Sequence, residues 1–275
     1  MSKQHSLLLI GAGNMGGALF ASWAQSPVID KARSAVVDPN PTDRVTALCE
    51  KNGIAINPED DGDGYDLCVL GVKPQMFADV IPGVSFPNMD RTLFMSIAAG
   101  KSIESIRQLL KTHTDQPNVV RAMPNLPAAV GKGVTLLCAD KTTSDDQKAA
   151  ATALFEAAGA VVWAEDEDQL NRLTGLSGSG PAYVFLLAEA MEEVAKAHGA
   201  SPEDARLLGE MTLIGAAYQL EADERPAAEM RKAVTSPGGT TAAGLSVLDE
   251  KDTGFRPLMA KAIEKAYARA KELSD

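Results

Sequence analysis

Leu7-Leu8-Leu9-Ile10-Gly11-Ala12-Gly13-Asn14-Met15-Gly16 decides the fold. Four successive apolar residues read as a short strand buried on both faces, the pattern of a parallel sheet. The glycines end that strand at once, and a helical pattern follows through about Gln25. A Gly-x-Gly-x-x-Gly run in this context is a dinucleotide turn. Gly11 permits the bend, Gly13 lets a pyrophosphate approach the backbone, and Gly16 lets the helix close on the strand. The helix amino terminus offers unpaired N–H groups and the positive end of its dipole to the phosphates. A glycine turn without a ligand is the competing explanation, and the strand before and helix after argue against it.

Outward from that turn, the first half alternates apolar runs with amphipathic ones. Ala35 to Val37 reads as a strand ending at Asp38, and Thr42 to Lys51 as a helix stopped by Asn52-Gly53. Leu67 to Gly71, Leu93 to Ile97, Val119 to Ala122, Val134 to Cys138 and Ala160 to Trp163 read as further strands. Ser144-Asp145-Asp146-Gln147 is a capping box opening a helix through about Ala158. Strands alternating with helices give an α/β class: a doubly wound, mostly parallel sheet covered on both faces.

Loops at the carboxyl ends of such strands line the ligand crevice. Asp38 falls roughly 20 residues past the glycine motif, where a carboxylate holds the adenosine ribose hydroxyls and favours NAD. Asn40, Thr42 and Arg44 follow, and Arg44 suits a 2′-phosphate, so NADPH and NADH both stay open. A plain turn is the other reading of Asp38-Pro39. Gly71-Val72-Lys73-Pro74-Gln75 is expected to face the dinucleotide. Ser96-Ile97-Ala98-Ala99-Gly100 and Met123-Pro124-Asn125 occupy equivalent strand ends, with small residues leaving room for a nicotinamide ring. Asn125 either holds a polar group near that ring or braces a turn between two prolines.

After Trp163 the strand pattern stops. The boundary is placed near Ala164, giving a dinucleotide-binding domain at 1–164 and a helical domain at 165–275. Helices are expected from Pro181 to the stop at Gly199, from Ser201-Pro202 toward Glu221, from Pro226 to before Ser236, and from Pro257 toward Leu273. Stretches such as Leu213-Ile214-Gly215-Ala216-Ala217 are apolar on more than one face. One small bundle cannot bury them all, which predicts a homodimer through this half.

Within it lies Val234-Thr235-Ser236-Pro237-Gly238-Gly239-Thr240-Thr241. Pro237 and the glycines force a tight turn, and Thr240 or Thr241 is expected to cap the following helix. A helix amino terminus beside a hydroxyl suits a small carboxylate. Ser177-Gly178-Ser179-Gly180-Pro181 reads equally as the opening of a helix or as a substrate contact.

Composition narrows the classes. Hydrophobic residues are 45% and charged residues 23%, ordinary for a globular chain, and the net charge of -11 disfavours nucleic acid and anionic membrane surfaces as partners. Cys49, Cys68 and Cys138 match no metal spacing, so no metal is expected, and their odd number points to free thiols in a reducing compartment. Leu7 to Ile10 is too short for a signal-peptide core, and no run reaches the ~20 apolar residues of a membrane helix. A cytoplasmic protein is the expectation. His5, His113 and His198 lie outside every motif and read as surface or packing residues.

Taken in order, these motifs, with Arg121-Ala122-Met123-Pro124-Asn125 and Leu176-Ser177-Gly178-Ser179-Gly180-Pro181-Ala182-Tyr183, closely resemble the pyrroline-5-carboxylate reductase family, from about Leu7 to about Leu273. The late Thr235-Ser236-Pro237-Gly238-Gly239-Thr240 stretch is the most specific. The resemblance implies a Rossmann domain, a helical dimerisation domain and rings of dimers. It implies that Gly11 to Gly16, Asn40, Lys73, Pro74 and Ala98 contact the cofactor, with Asn57 a further candidate. It implies that Ser236, Gly238, Gly239, Thr240 and Thr241 surround the substrate, Thr241 beside its nitrogen. One departure is the Asp38-Pro39-Asn40 loop, which varies within the family and leaves the choice between NADPH and NADH open.

The reaction so implied is hydride transfer from a nicotinamide to the C=N carbon of a cyclic imine, 1-pyrroline-5-carboxylate, giving proline in the last step of its biosynthesis. Ser236 and Thr241 are the expected catalytic pair, by anchoring and hydrogen bonding, with helix capping as their competing role. Two rivals differ in class. A 3-hydroxy acid dehydrogenase needs a lysine early in the helix from Pro181, where none occurs before Lys196. A non-catalytic dinucleotide sensor needs no Ser236–Thr241 turn.

Overall fold

The computed structural model describes residues 3–59, 64–84, 89–111 and 114–272. His113 and the helix end expected at Leu273 lie outside the described residues. The first half runs β1 (Leu7–Ile10), α1 (Asn14–Trp23), β2 (Ala35–Val37), α2 (Asp43–Asn52), β3 (Ala55–Ile56), β4 (Leu67–Leu70) and α3 (Phe77–Val80). It continues through β5 (Leu93–Ser96), α4 (Ile103–Leu110), β6 (Asn118–Met123), β7 (Gly133–Ala139), α5 (Asp145–Glu156), β8 (Gly159–Trp163) and α6 (Glu167–Ser177). The helices α7 (Gly180–Ala197), α8 (Pro202–Ala222), α9 (Ala227–Ala233), α10 (Thr240–Leu248) and α11 (Phe255–Glu272) complete it.

The strands form one sheet in the order β3-β2-β1-β4-β5-β6-β7-β8. β1 lies between β2 and β4, so the chain winds one way from β1 and later returns to its other side. That reversal opens a crevice beyond the carboxyl ends of β1 and β4. Neighbouring strands are parallel except β6 and β7, where Arg121 faces Cys138 in antiparallel register. The cause is length: a parallel return takes a dozen residues or more, and only a short 3-10 turn, Leu126–Val130, joins these two strands.

Local chemistry sets the ends. Thr42 caps α2 by accepting from the Val45 amide, and Gly53 ends it in the left-handed region at φ 68°. The box at Ser144 is formed in both directions, with Gln147 Oε1 accepting from the Ser144 amide at 3.0 Å. Four elements had no expectation: the two-residue β3, the four-residue α3, the helix α4 opened by a Ser102 cap, and α6 opened by Asp166.

Alternation along β1 sends Leu7 and Leu9 to one face, with Leu19, Phe20, Trp23, Leu154 and Phe155. Leu8 and Ile10 face the other way, with Phe77, Ile81, Ile103, Ile106 and Leu170. Each such side chain contributes about 1.5–3 kcal/mol on burial. Cys49, Cys68 and Cys138 are buried in these layers as free thiols. Burial pushes Cys49 and Cys138 up to about 11, and Cys68 higher still.

The chain forms two compact units: one runs to Ser179 and takes back the end from Ala266, and the other is Gly180–Lys265. The strand pattern ends near Ala164, but the packing boundary comes after Ser179 because α6 lies on the sheet unit. Leu170 enters its core, and Glu167 Oε1 accepts from Arg121 Nη1 at 2.7 Å. In the same unit, the hydroxyl of Tyr267 on α11 donates to Asp168 at 2.6 Å. That bond and Arg172 hold the Asp168 carboxyl below the usual carboxylate range.

In the helical unit, α7 and α8 pack closely. A Cβ on Gly209 would sit 2.9 Å from the Ala188 carbonyl oxygen, so glycine permits the approach. The other side of α8 carries Leu207, Met211, Ile214 and Tyr218, a helical stripe left exposed. Phe185 at 60% and Val247 at 71% relative exposure are similarly bare.

Candidate functional site

The glycine turn follows β1 and opens α1, whose cap Gly13 makes no side-chain hydrogen bond. Its glycines divide by cause. Gly11 has φ +86°, and a Cβ there would lie 2.7 Å from the Val72 amide nitrogen. A Cβ on Gly16 or on Gly71 would collide with the Gly11 carbonyl oxygen. These three are needed by the chain itself, which packs β1, α1 and the end of β4 against one another. Gly13 is different: a Cβ there would meet nothing within 4 Å. Its lack of a side chain answers to no contact inside the protein, which fits a pyrophosphate approaching the backbone. Gly13 and Asn14 are exposed, while Gly11, Ala12 and Gly16 are buried and Met15 is half-buried.

In the loop after β2, the half-buried Asp38 carboxylate already accepts bonds within the chain on both oxygens. Its Oδ2 accepts from the Ala12 amide at 2.7 Å and its Oδ1 from the Asn40 amide at 2.8 Å. Asn57 has φ 47°, the left-handed region that asparagine tolerates. Its side chain grips the Asp38 backbone at both ends, Oδ1 accepting from the amide and Nδ2 donating to the carbonyl, each at 2.9 Å. Asn57 thus spends its amide on Asp38. Asn40 and Arg44 are exposed, Arg44 in the first turn of α2.

After β4, Gly71 donates its amide to Ile10 O at 2.7 Å, holding the two loops together. Val72 follows, half-buried; the exposed Lys73 precedes the short turn Pro74–Met76, its carbonyl accepting from the Met76 amide. After β5, Ala98 is buried and its amide donates to Ser96 Oγ at 3.3 Å.

Asn125 resolves to its bracing role. Nδ2 donates to Ser177 O and Oδ1 accepts from the Val134 amide, both at 2.8 Å, and the residue is buried. Its amide ties the ends of β6 and α6 to the start of β7.

Sequence reasoning missed Arg121. Its side chain leaves β6 buried, paired with Glu167 and donating to Asn171 Oδ1 at 3.2 Å. Glu167 Oε1 also accepts from the Ile103 amide at the start of α4. The available signal was a charged residue inside the apolar run Val119-Val120-Arg121-Ala122.

In the helical unit, the late turn has the predicted tightness. The Gly239 amide donates to Ser236 O at 3.1 Å, and Gly238 has φ +70°. Proline then left-handed glycine is the order of a type II turn. The capping expectation fails. Gly239 is the cap residue of α10, without a side-chain bond, which places Thr240 and Thr241 inside the first turn. A Cβ on Gly239 would come near Ser236 Oγ, so glycine there makes room for the hydroxyl. Ser236, Gly238, Thr240 and Thr241 are exposed and Gly239 half-buried. Exposed hydroxyls beside open helix N–H groups can receive an anion and a polar neighbour together.

Comparison with known proteins follows the same division. Residues 6–100 match the model described as NADP oxidoreductase coenzyme F420-dependent. Residues 167–273 match the one described as pyrroline-5-carboxylate reductase dimerisation. The pyrroline-5-carboxylate reductase of Haemophilus influenzae is 36% identical, with 98% of each chain covered. A solved pyrroline-5-carboxylate reductase from Coxiella burnetii superposes with a TM-score of 0.84 at 35% identity, covering 99% of this chain and 100% of that one. A Plasmodium falciparum pyrroline carboxylate reductase solved with NADP bound gives 0.77 at 26% identity, with 98% of each chain covered.

Proposed function

We infer the chemistry from one premise: this chain belongs to the pyrroline-5-carboxylate reductase family. It is an oxidoreductase that reduces the C=N bond of 1-pyrroline-5-carboxylate to give proline. A reduced nicotinamide coenzyme, NADPH or NADH, supplies the hydride when bound. The observation that carries the reading in this chain's own residues is the contrast between Gly13 and its neighbouring glycines. Gly13 alone of the motif is left open, where a dinucleotide needs bare backbone.

The exposed Gly13 and Asn14 amides at the start of α1 receive the pyrophosphate. Met15, Asn40, Val72, Lys73, Pro74 and Ala98 border the same ligand. The Ser236–Thr241 turn receives the substrate carboxylate on the open amides of α10. Ser236 anchors it, and Thr241 is the hydrogen-bond partner at the nitrogen, donating to a free imine or accepting from the N–H of the iminium. Because Thr241 and Ser236 are not the caps of α10, their hydroxyls are at liberty for this task. A substrate arriving as the iminium needs no strong acid, and orientation alone takes on the order of 7 kcal/mol off the barrier. The Haemophilus influenzae and Coxiella burnetii relatives support this reading over a hydroxy acid dehydrogenase or a silent sensor.

The exposed stripe on α8 supports a homodimer formed through the helical unit, and rings of such dimers extend the same reading. No helix among the described residues is long and apolar enough to cross a membrane. A cytoplasmic location suits an enzyme of amino-acid biosynthesis with three free buried thiols. Steady-state assay of the purified protein with pyrroline-5-carboxylate, in parallel with NADPH and NADH, tests the assignment. Coenzyme oxidation dependent on the imine is expected. Turnover of 3-hydroxy acids with none of the imine, or tight coenzyme binding without turnover, would refute it.

A further inference from the structure

Asp38 sits where a dinucleotide enzyme commonly reads the ribose, yet its carboxylate is committed within the chain. One oxygen holds the Ala12 amide and the other the Asn40 amide. Its backbone is gripped by the Asn57 side chain, and the Gly11 amide donates to the adjacent Val37 carbonyl at 2.8 Å. Ala12 is buried, so its N–H depends on this acceptor rather than on water. Ala12 follows Gly11, whose left-handed conformation turns the peptide toward Asp38.

We propose that Asp38 is a positioning residue that holds the glycine turn in its dinucleotide-ready shape, not the residue that chooses between NADH and NADPH. The inference rests on the dinucleotide reading of that turn given above. Its logic is one of populations. Both coenzymes use the same pyrophosphate turn, so a loss of its ordered fraction multiplies both dissociation constants by one factor. A ribose reader behaves otherwise: it discriminates at the 2′ position, and its loss changes the ratio of the two constants.

The test is calorimetric titration of the purified full-length protein with NADPH and with NADH, well below the melting temperature, for wild type, Asp38→Ala, Asp38→Asn and Asn57→Gly. Asp38→Ala is expected to weaken both coenzymes about tenfold, the size set by losing a charge-assisted bond to a buried amide. The ratio of the two constants stays within about threefold of wild type. Asp38→Asn, which keeps an acceptor for Ala12, recovers part of the loss. Asn57→Gly keeps the left-handed conformation but removes the grip on Asp38, and is expected to weaken both coenzymes about threefold. It carries the test if the Asp38 variants fail to fold. A tenfold or greater change in the NADH-to-NADPH ratio, or unchanged constants for both, overturns the proposal. Failure of the wild type to bind either coenzyme overturns the dinucleotide reading itself.

Discussion

The two units of this chain solve the burial problem differently. In the sheet unit, large side chains such as Trp23, Phe20, Phe94 and Phe155 are fully buried, and Trp23 meets Phe155 edge-on at 5.7 Å. In Gly180–Lys265, Ala205 is the only buried hydrophobic residue among those described, while Leu207, Met211, Ile214 and Tyr218 stand exposed. Large contiguous apolar patches are rare on monomers. One unit carries its own core; the other has helices with caps and close α7–α8 packing but leaves much apolar surface uncovered. The contrast extends to the sites. The glycine turn is over-determined by contacts within the chain, whereas the Ser236–Thr241 turn holds its shape with few bonds and leaves its hydroxyls open.

The largest test of that contrast is a charge placed on the exposed stripe. Met211→Asp would bury a carboxylate in any partner surface, at a cost of several kcal/mol. Sedimentation should show a monomer, and circular dichroism should show lost helix with the sheet unit still folded. A wild-type protein that is monomeric and fully helical at micromolar concentration would break the comparison. Next comes Gly11→Ala, which forces a side chain into the left-handed region and against Val72. It should lower the stability of the sheet unit by about 3 kcal/mol or more, read by denaturant unfolding.

Thr241→Ala comes third: kcat should fall about a hundredfold with the melting temperature unchanged, because no cap is lost. A fall in stability alone would restore the capping role. Asn125→Ala should cost about 2 kcal/mol by stranding the Val134 amide and the Ser177 carbonyl, with coenzyme affinity retained. The smallest effect on stability is expected for Gly13→Ala. A methyl group there meets nothing in the free protein, so unfolding should shift by less than about 1 kcal/mol while coenzyme affinity falls about tenfold.

Much of this was legible in the chain because the signals were local. The β1 run, the glycine spacing, the Ser144 box, the Pro-led helices and the proline–glycine turn each depend on residues within one or two turns of each other. Of what escaped, α4 and α6 carry local caps at Ser102 and Asp166 that were overlooked, and the rest was long-range or too short. β3 has only two residues, Ala55 and Ile56, and exists because β2 offers them a ladder. The two hydrogen bonds between Asn57 and Asp38, and the one from Asn125 to Ser177, join segments whose proximity only the sheet creates. The threonines were misread as caps because threonine is a common cap and glycine was free to replace it once Ser236 stood behind it. Arg121 was visible as a charge in an apolar strand, but Glu167 could not be matched to it without α6 folded onto the sheet.

The three thiols give the molecule a built-in reporter. Cys49, Cys68 and Cys138 all belong to the sheet unit, and burial keeps them protonated at neutral pH. Since the thiolate is the reactive form, an alkylating reagent has nothing to attack until that unit opens. Labelling kinetics followed by mass spectrometry would therefore time the opening of one half of the protein while remaining blind to the other.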